Sequence, residues 1–252
     1  MHASTQTPKQ NVGRSFVCLR TFAWIPAIFV FLNGCGTQAG PRPPGQPASG
    51  PGGADYKHAT VEAMRVGDGP TEFWIFTPAD PRPEQAPLIV FMHGWGAVHP
   101  RSYGAWLQHI VRKGHIVVFP RYQLADKLRT PGDTMYSGAS SAVQDAWNLL
   151  IAHGPVRPQT DKIAWIGHSM GGVLSINLAA AAPSLGLPPA GSVFLVQPGG
   201  QDVVPLGDLS ALPTDAVVEI MVGDEDSLAG DSGAKAIREA LSGTPGRRLE
   251  LL

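Results

Sequence analysis

Cysteine is scarce in this sequence: there are two, Cys18 and Cys35, and both precede the bulk of the chain. Everything after Cys35 therefore lacks a disulfide framework and a cysteine metal site, so a folded domain there must rest on its apolar core. Charge is sparse as well, with 15% charged residues and a formal net charge of -1. Nucleic-acid binding calls for a basic stripe, and none is present. A transmembrane helix needs about 18 or more consecutive apolar residues. The run Phe22–Leu32 is too short for that. What the chain does have is 43% hydrophobic residues, enough for a sizeable core, in a length of 252 that suits one large domain with a tail. Glycine (30) and proline (24) are plentiful, and part of that excess is concentrated near the N-terminus.

There, Lys9, Arg14 and Arg20 precede the apolar run, which fits the central region of a secretory signal. It closes on Leu32-Asn33-Gly34-Cys35. This resembles the lipobox of bacterial lipoproteins, which implies cleavage before Cys35, its acylation, and a membrane anchor. From Gly36 the chain is rich in Pro and Gly, as in Pro41-Arg42-Pro43-Pro44 and Gly50-Pro51-Gly52-Gly53, and buries nothing obvious. The expectation is a signal over residues 1–35, a disordered tether over 36–55 and a globular domain over 56–252.

Within that domain, Ala59–Val66 and Thr71–Thr77 flank Gly67-Asp68-Gly69 and predict a β-hairpin. Leu88–Met92, His115–Phe119, Lys162–Ile166, Ser192–Val196 and Val217–Val222 read as strands, several of them continuous apolar runs buried on both faces. Tyr103, Trp106, Leu107, Ile110 and Val111 share a helical face stopped at Gly114. A long polar loop is expected from Arg121 to Gly138. After it, Val143, Ala146, Trp147, Leu150 and Ile151 mark a second helix. A further helix spans Ala234–Leu241, and Arg247–Leu252 begins a last strand. Strands alternating with helices behind a hairpin predict a doubly wound, mostly parallel sheet, with active residues at the carboxyl ends of strands.

One such strand end carries Gly167-His168-Ser169-Met170-Gly171-Gly172 between an apolar run and a small-residue helix. Gly-x-Ser-x-Gly in a strand–turn–helix is the nucleophile elbow. The turn is sharp enough to strain Ser169, and the glycines leave room for crossing backbone. On these residues the chain resembles the α/β-hydrolase family over residues 56–252, with a loop and wall pattern like its dienelactone-hydrolase, chlorophyllase and polyester-hydrolase branch. The resemblance implies Ser169 as nucleophile and the backbone N–H of Met170 as one oxyanion donor. His93-Gly94-Trp95-Gly96, at the end of Leu88–Met92, implies the N–H of Trp95 as the other. Gly223-Asp224-Glu225-Asp226 follows a buried strand, and family spacing selects Asp226 as the acid over Asp224 and Glu225. The segment Gln197–Asp215, where the family inserts lids, is short, which implies a small cap.

The family order places the catalytic histidine after the acid, and no residue after Asp226 is histidine. The resemblance thus implies that the base, with the final helix of the domain, lies beyond Leu252. Among the histidines present, His99 is the one candidate substitute. His168 is expected to point away from the serine Oγ. The function implied is carboxylic ester hydrolysis through an acyl-enzyme, with no metal or organic cofactor, an ester substrate, a lipid anchor in a membrane and no nucleic-acid partner. Acyl transfer or peptide cleavage with the same groups, and ligand binding in a non-catalytic cleft, are the alternatives.

Overall fold

A computed structural model of the chain describes residues 44–124 and 129–243, and the backbone of 249–251. The expected signal, Cys35 and the start of the tether lie outside the described residues. Among the described residues, eight strands form one sheet: β1 (Thr60–Val66), β2 (Phe73–Ala79), β3 (Gln85–Met92), β4 (Ile116–Pro120), β5 (Arg157–His168), β6 (Ser192–Val196), β7 (Val217–Met221) and β8 (Leu249–Leu251), in spatial order β1-β2-β4-β3-β5-β6-β7-β8. The hairpin β1–β2 and the pair β2–β4 are antiparallel, and every other pair is parallel.

Four α-helices among the described residues cover the sheet: α1 (Gly104–Arg112), α2 (Gly132–His153), α3 (Met170–Ala181) and α4 (Ser232–Ser242). Side chains alternate across each strand, so Leu88, Val90 and Met92 of β3 pack with α2 and α3, while Ile89 and Phe91 pack with Leu107, Ile110 and Val111 of α1. Both faces of β3 and β4 are therefore apolar, as the continuous runs required. The central helix α3 is buried nearly all round, which accounts for its lack of a polar stripe. On the α1 side, beyond that helix, Ala164, Ile166, Phe194 and Glu219 line an open groove of about 700 Å³.

Register decides where the site can be. Met92 pairs with Gly167, His168 with Val196, and Val196 with Met221, so these strands end level at one edge. Connections leave β3 toward β4 and return to β5 on its other side. This topological switch opens a crevice between the carboxyl ends of β3 and β5.

Several boundaries differ from expectation, β5 among them, which begins at Arg157 rather than Lys162. Helix α2 begins at Gly132, six residues before the predicted loop ends, and Met135 and Ala139 carry the buried stripe of Ala142, Val143, Ala146 and Leu150 back into its first turns. Gly138 sits inside it where a side chain would press on the Pro70 carbonyl, 2.9 Å from the added carbon. The compact unit also begins at Gly45 rather than at residue 56. His109 Nε2 lies 2.8 Å from the Pro51 carbonyl, Lys113 Nζ donates to the Gly50 carbonyl at 2.8 Å, and the Arg112 guanidinium lies 3.8 Å from the Tyr56 ring centre. Turns in this Pro- and Gly-rich segment aim carbonyls at His109 of α1 and at Lys113 just after it, contacts that composition alone does not reveal.

A buried carboxylate ties the hairpin to the end of β4. Glu72, 1% exposed, accepts from Arg65 through Nε (3.0 Å) and Nη2 (2.8 Å) and from Arg121 Nη1 (2.9 Å). Its carbonyl accepts from the Arg121 N–H at 2.8 Å. Removing the carboxylate would leave the largely buried Arg121 guanidinium without its ion pair. Glu72→Ala is expected to lower the unfolding free energy by about 3 kcal/mol in chemical denaturation, well beyond an exposed-residue control such as Glu62→Ala.

Candidate active site

Ser169 joins β5 to α3 with φ 55° and ψ -126°, a region that side-chain-bearing residues rarely occupy. Its backbone is fully engaged: the N–H donates to Val196 O (2.9 Å), and the carbonyl accepts from Gly172 (2.8 Å) and Gly199 (3.2 Å). A Cβ on Gly171 would overlap the carbonyls of Met92 and His93, and one on Gly167 would overlap the backbone of Gly171. The elbow thus sits directly on the end of β3. Ser169 Oγ has no hydrogen-bond partner among the described residues.

The turn after β3 faces it. A carbon added at Gly94 would lie 3.3 Å from Ser169 Cβ and 2.8 Å from His168 Nδ1. Gly94 N–H donates to Tyr103 Oη (2.7 Å), Gly96 N–H to Gln123 Oε1 (3.0 Å), and the Gly94 carbonyl accepts from Ala97 N–H (3.1 Å). Between these fixed points the N–H of Trp95 has no acceptor among the described residues. Neither has the N–H of Met170, the first residue of α3, which lies at the positive end of the helix. The indole of Trp95 is 40% exposed beside them.

Under the turn lies His93, wholly buried, its ring 4.0 Å from that of Tyr122 and nearly parallel to it. Tyr122 Oη donates to the His93 carbonyl. Nδ1 of His93 lies 2.7 Å from Gly94 O and Nε2 lies 2.6 Å from Arg121 O. Burial outweighs the pull of these two carbonyls and, aided by the nearby Arg121 charge, pushes the imidazole down to about 4. His93 is thus a neutral strut for the turn.

Asp226, the acid expected from the sequence, stands on the loop after β7. Gln197, at φ 51° beyond β6, takes Gly223 N–H on Oε1 (2.6 Å) and donates from Nε2 to Gly230 O (3.0 Å), so one side chain pins both ends of that loop. Inside it, Asp226 Oδ1 accepts from the N–H groups of Ala229 (2.9 Å) and Leu228 (2.8 Å). These bonds, that of Ala229 first, hold its carboxyl below the ordinary range. Asp224 and Glu225 are exposed, and of the three acids it is Asp226 whose charge reaches His168.

His168 turns toward Tyr103, with Nδ1 2.9 Å from Oη; burial lowers its pKa and the Asp226 charge raises it, burial being the larger. His99 has no role beside the elbow: its Nδ1 accepts from Arg101 N–H at 3.2 Å and its ring lies 5.4 Å from Trp74. His58, His109 and His115 bond to backbone carbonyls, and His153 is exposed on the last turn of α2. Sequence reasoning missed Tyr103, Gln123 and Gln197. Tyr103 carried a signal, an aromatic at the start of a helix behind the turn, but its spacing reads equally as core.

A sequence profile of the chlorophyllase family matches residues 49–190, more than half of the chain and inclusive of the turn and the elbow. The chain belongs to the chlorophyllase family. No curated protein sequence matches it. Among solved structures, this chlorophyllase-family chain is similar to a bacterial heroin esterase (18% identity, TM-score 0.58, 76% of this chain and 74% of that one). It is also similar to a carboxyl esterase of the mycorrhizal fungus Tuber melanosporum (18%, 0.57, 76% of each) and to esterases of Rhizomucor miehei (17%, 0.59, 78% and 75%). At such identities the likeness is one of fold, the α/β-hydrolase fold.

The depressed His93 fixes a pH dependence for this family member. The unfolded ring takes a proton near 6.5 and the folded ring only near 4, so the unfolded state binds more protons in between. Stability from this residue is complete above pH 6.5 and falls by roughly 3 kcal/mol as pH drops toward 4. Denaturant titrations across that window are expected to show the fall, and His93→Gln is expected to flatten it.

Proposed function

We propose that this protein hydrolyses carboxylic esters with Ser169 as nucleophile. The observation that carries the reading is the pairing of a strained, unengaged Ser169 with two backbone N–H groups, of Trp95 and Met170, that have no acceptor among the described residues. Ser169 Oγ attacks the ester carbonyl carbon while a histidine base takes its proton. The carbonyl electrons move onto oxygen, which the two N–H groups receive at a worth of roughly 3 kcal/mol each. Collapse expels the alcohol, protonated by the same histidine, and leaves an acyl-enzyme. Water, deprotonated in turn, releases the acid and restores the serine. Asp226 orients the histidine and stabilises its charged form. The family order Ser–Asp–His places such a histidine after the acid, and no residue of this sequence is assigned to it. The exposed Trp95 indole supplies an apolar wall for the substrate.

Two experiments bear on this. A fluorophosphonate probe is expected to label Ser169, with the label lost in Ser169→Ala and the rate cut by roughly 100-fold or more in Asp226→Asn. Labelling that survives Ser169→Ala would identify another nucleophile. Ser169→Ala is expected likewise to abolish hydrolysis of p-nitrophenyl butyrate.

The reading also includes export and anchoring, with Cys35 acylated after signal removal and the remainder of the tether spacing the domain from a membrane. Expressed with its own N-terminus in a bacterium, the protein is expected in the membrane fraction, and Cys35→Ser in the soluble one. A wild-type protein that fractionates as soluble would contradict the anchor.

A further inference from the structure

Tyr103 stands at the N-cap of α1, its ring held against Phe91 (4.9 Å) and the edge of an aromatic cluster with Trp106 and Phe119. Its oxygen lies between the two halves of the site, 2.7 Å from Gly94 N and 2.9 Å from His168 Nδ1. A phenol has one proton to give and lone pairs to receive. Gly94 N–H can only donate, so it takes a lone pair. The phenol proton then goes to His168 Nδ1, which must be bare, and the neutral ring carries its hydrogen on Nε2. The result is a directed chain from Gly94 N–H through Tyr103 O–H to His168.

Each end of that chain is one residue from a group the reaction uses. Gly94 precedes Trp95, and with Gly94 N–H tied to Tyr103 and Gly96 N–H tied to Gln123, the peptide between them has a fixed tilt. His168 precedes Ser169 and, through it, Met170. We propose that Tyr103 is a positioning residue: by accepting from Gly94 and donating to His168 it sets the spacing between the Trp95 and Met170 donors. This rests on the ester-hydrolase reading for its consequence, though not for the bridge itself. Linked hydrogen bonds polarise one another, so removing the central oxygen weakens both contacts and leaves the buried Gly94 N–H unpaired.

Tyr103→Phe keeps the ring and removes only the oxygen. Hydrolysis of p-nitrophenyl butyrate is expected to lose roughly 10-fold in kcat with KM changed by less than about two-fold, since donors aimed at the oxyanion act in the transition state. His168→Leu should lose as much, and the double variant no more than either single one. His168→Asn, whose Oδ1 stands near the place of Nδ1, should recover most of the rate lost in His168→Leu. A Tyr103→Phe that melts lower but keeps kcat, or losses that simply add, would overturn the proposal. NMR separates this from failure of the hydrolase reading. If wild-type protein turns over no p-nitrophenyl ester, the Gly94 amide proton still reports the bridge: an upfield shift in Tyr103→Phe supports it, and an unmoved resonance overturns it.

Discussion

Ser169 holds a backbone conformation that costs a residue with a side chain about 1–3 kcal/mol, and it persists because its surroundings leave no alternative. Its N–H is bound by the last carbonyl of β6, and its own carbonyl by two N–H groups, one in α3 and one in the loop beyond β6. Gly171 lies so close to the carbonyls of Met92 and His93 that any side chain there would force α3 off the sheet. The same closeness brings the start of α3 beside the turn after β3. A relaxed Ser169 would swing the helix axis and pull Met170 away from Trp95. The strain is therefore the fixed point from which the geometry of the site is measured.

Around that point the site is assembled from three loops that the sheet delivers at one edge. Each is braced by a polar side chain rather than by regular structure. Gln123 holds the turn after β3, Tyr103 joins that turn to the elbow, and Gln197 pins both ends of the loop that carries Asp226. Both glutamines are buried, and their amides satisfy backbone groups that the sheet no longer can. Two backbone N–H groups of its own loop hold the Asp226 carboxyl below its ordinary range. The carboxylate stays ionised at neutral pH without a cation beside it, which leaves it free to hold a histidine.

Much of this was legible in the amino-acid sequence, for reasons that can be named. The apolar runs that became β3 and β4 had to be buried on both faces, so a sheet sandwiched by helices followed. Glycines at 167 and 171 identified the elbow because close backbone approach leaves no other choice of residue. The hairpin followed from alternation about a Gly-rich turn. What escaped was of a different kind. The first turns of α2 put Met135 and Ala139 on the buried face, but the Gly, Asp and Ser residues around them read as loop, and Gly132 and Gly138 are there because they meet the Val203 and Pro70 carbonyls. The order of residues 45–55 depends on His109, Arg112 and Lys113, more than fifty positions away. Tyr103, Gln123 and Gln197 act through single atoms in three dimensions, and spacing along the chain carries no mark of that. The same limit applies to His99, which a loop position near Trp95 made a candidate and which is spent on capping the turn before α1.

The claim on which the rest turns is that the N–H groups of Trp95 and Met170 converge on the oxygen of a group attached to Ser169. A crystal structure after reaction with diethyl p-nitrophenyl phosphate measures this directly, because the phosphoryl oxygen takes the place of the oxyanion. The account predicts phosphorus bonded to Ser169 Oγ and a phosphoryl oxygen about 2.7–3.1 Å from both nitrogens. Phosphorus on another residue, or an adduct on Ser169 whose phosphoryl oxygen faces away from Trp95 and Met170, would contradict it.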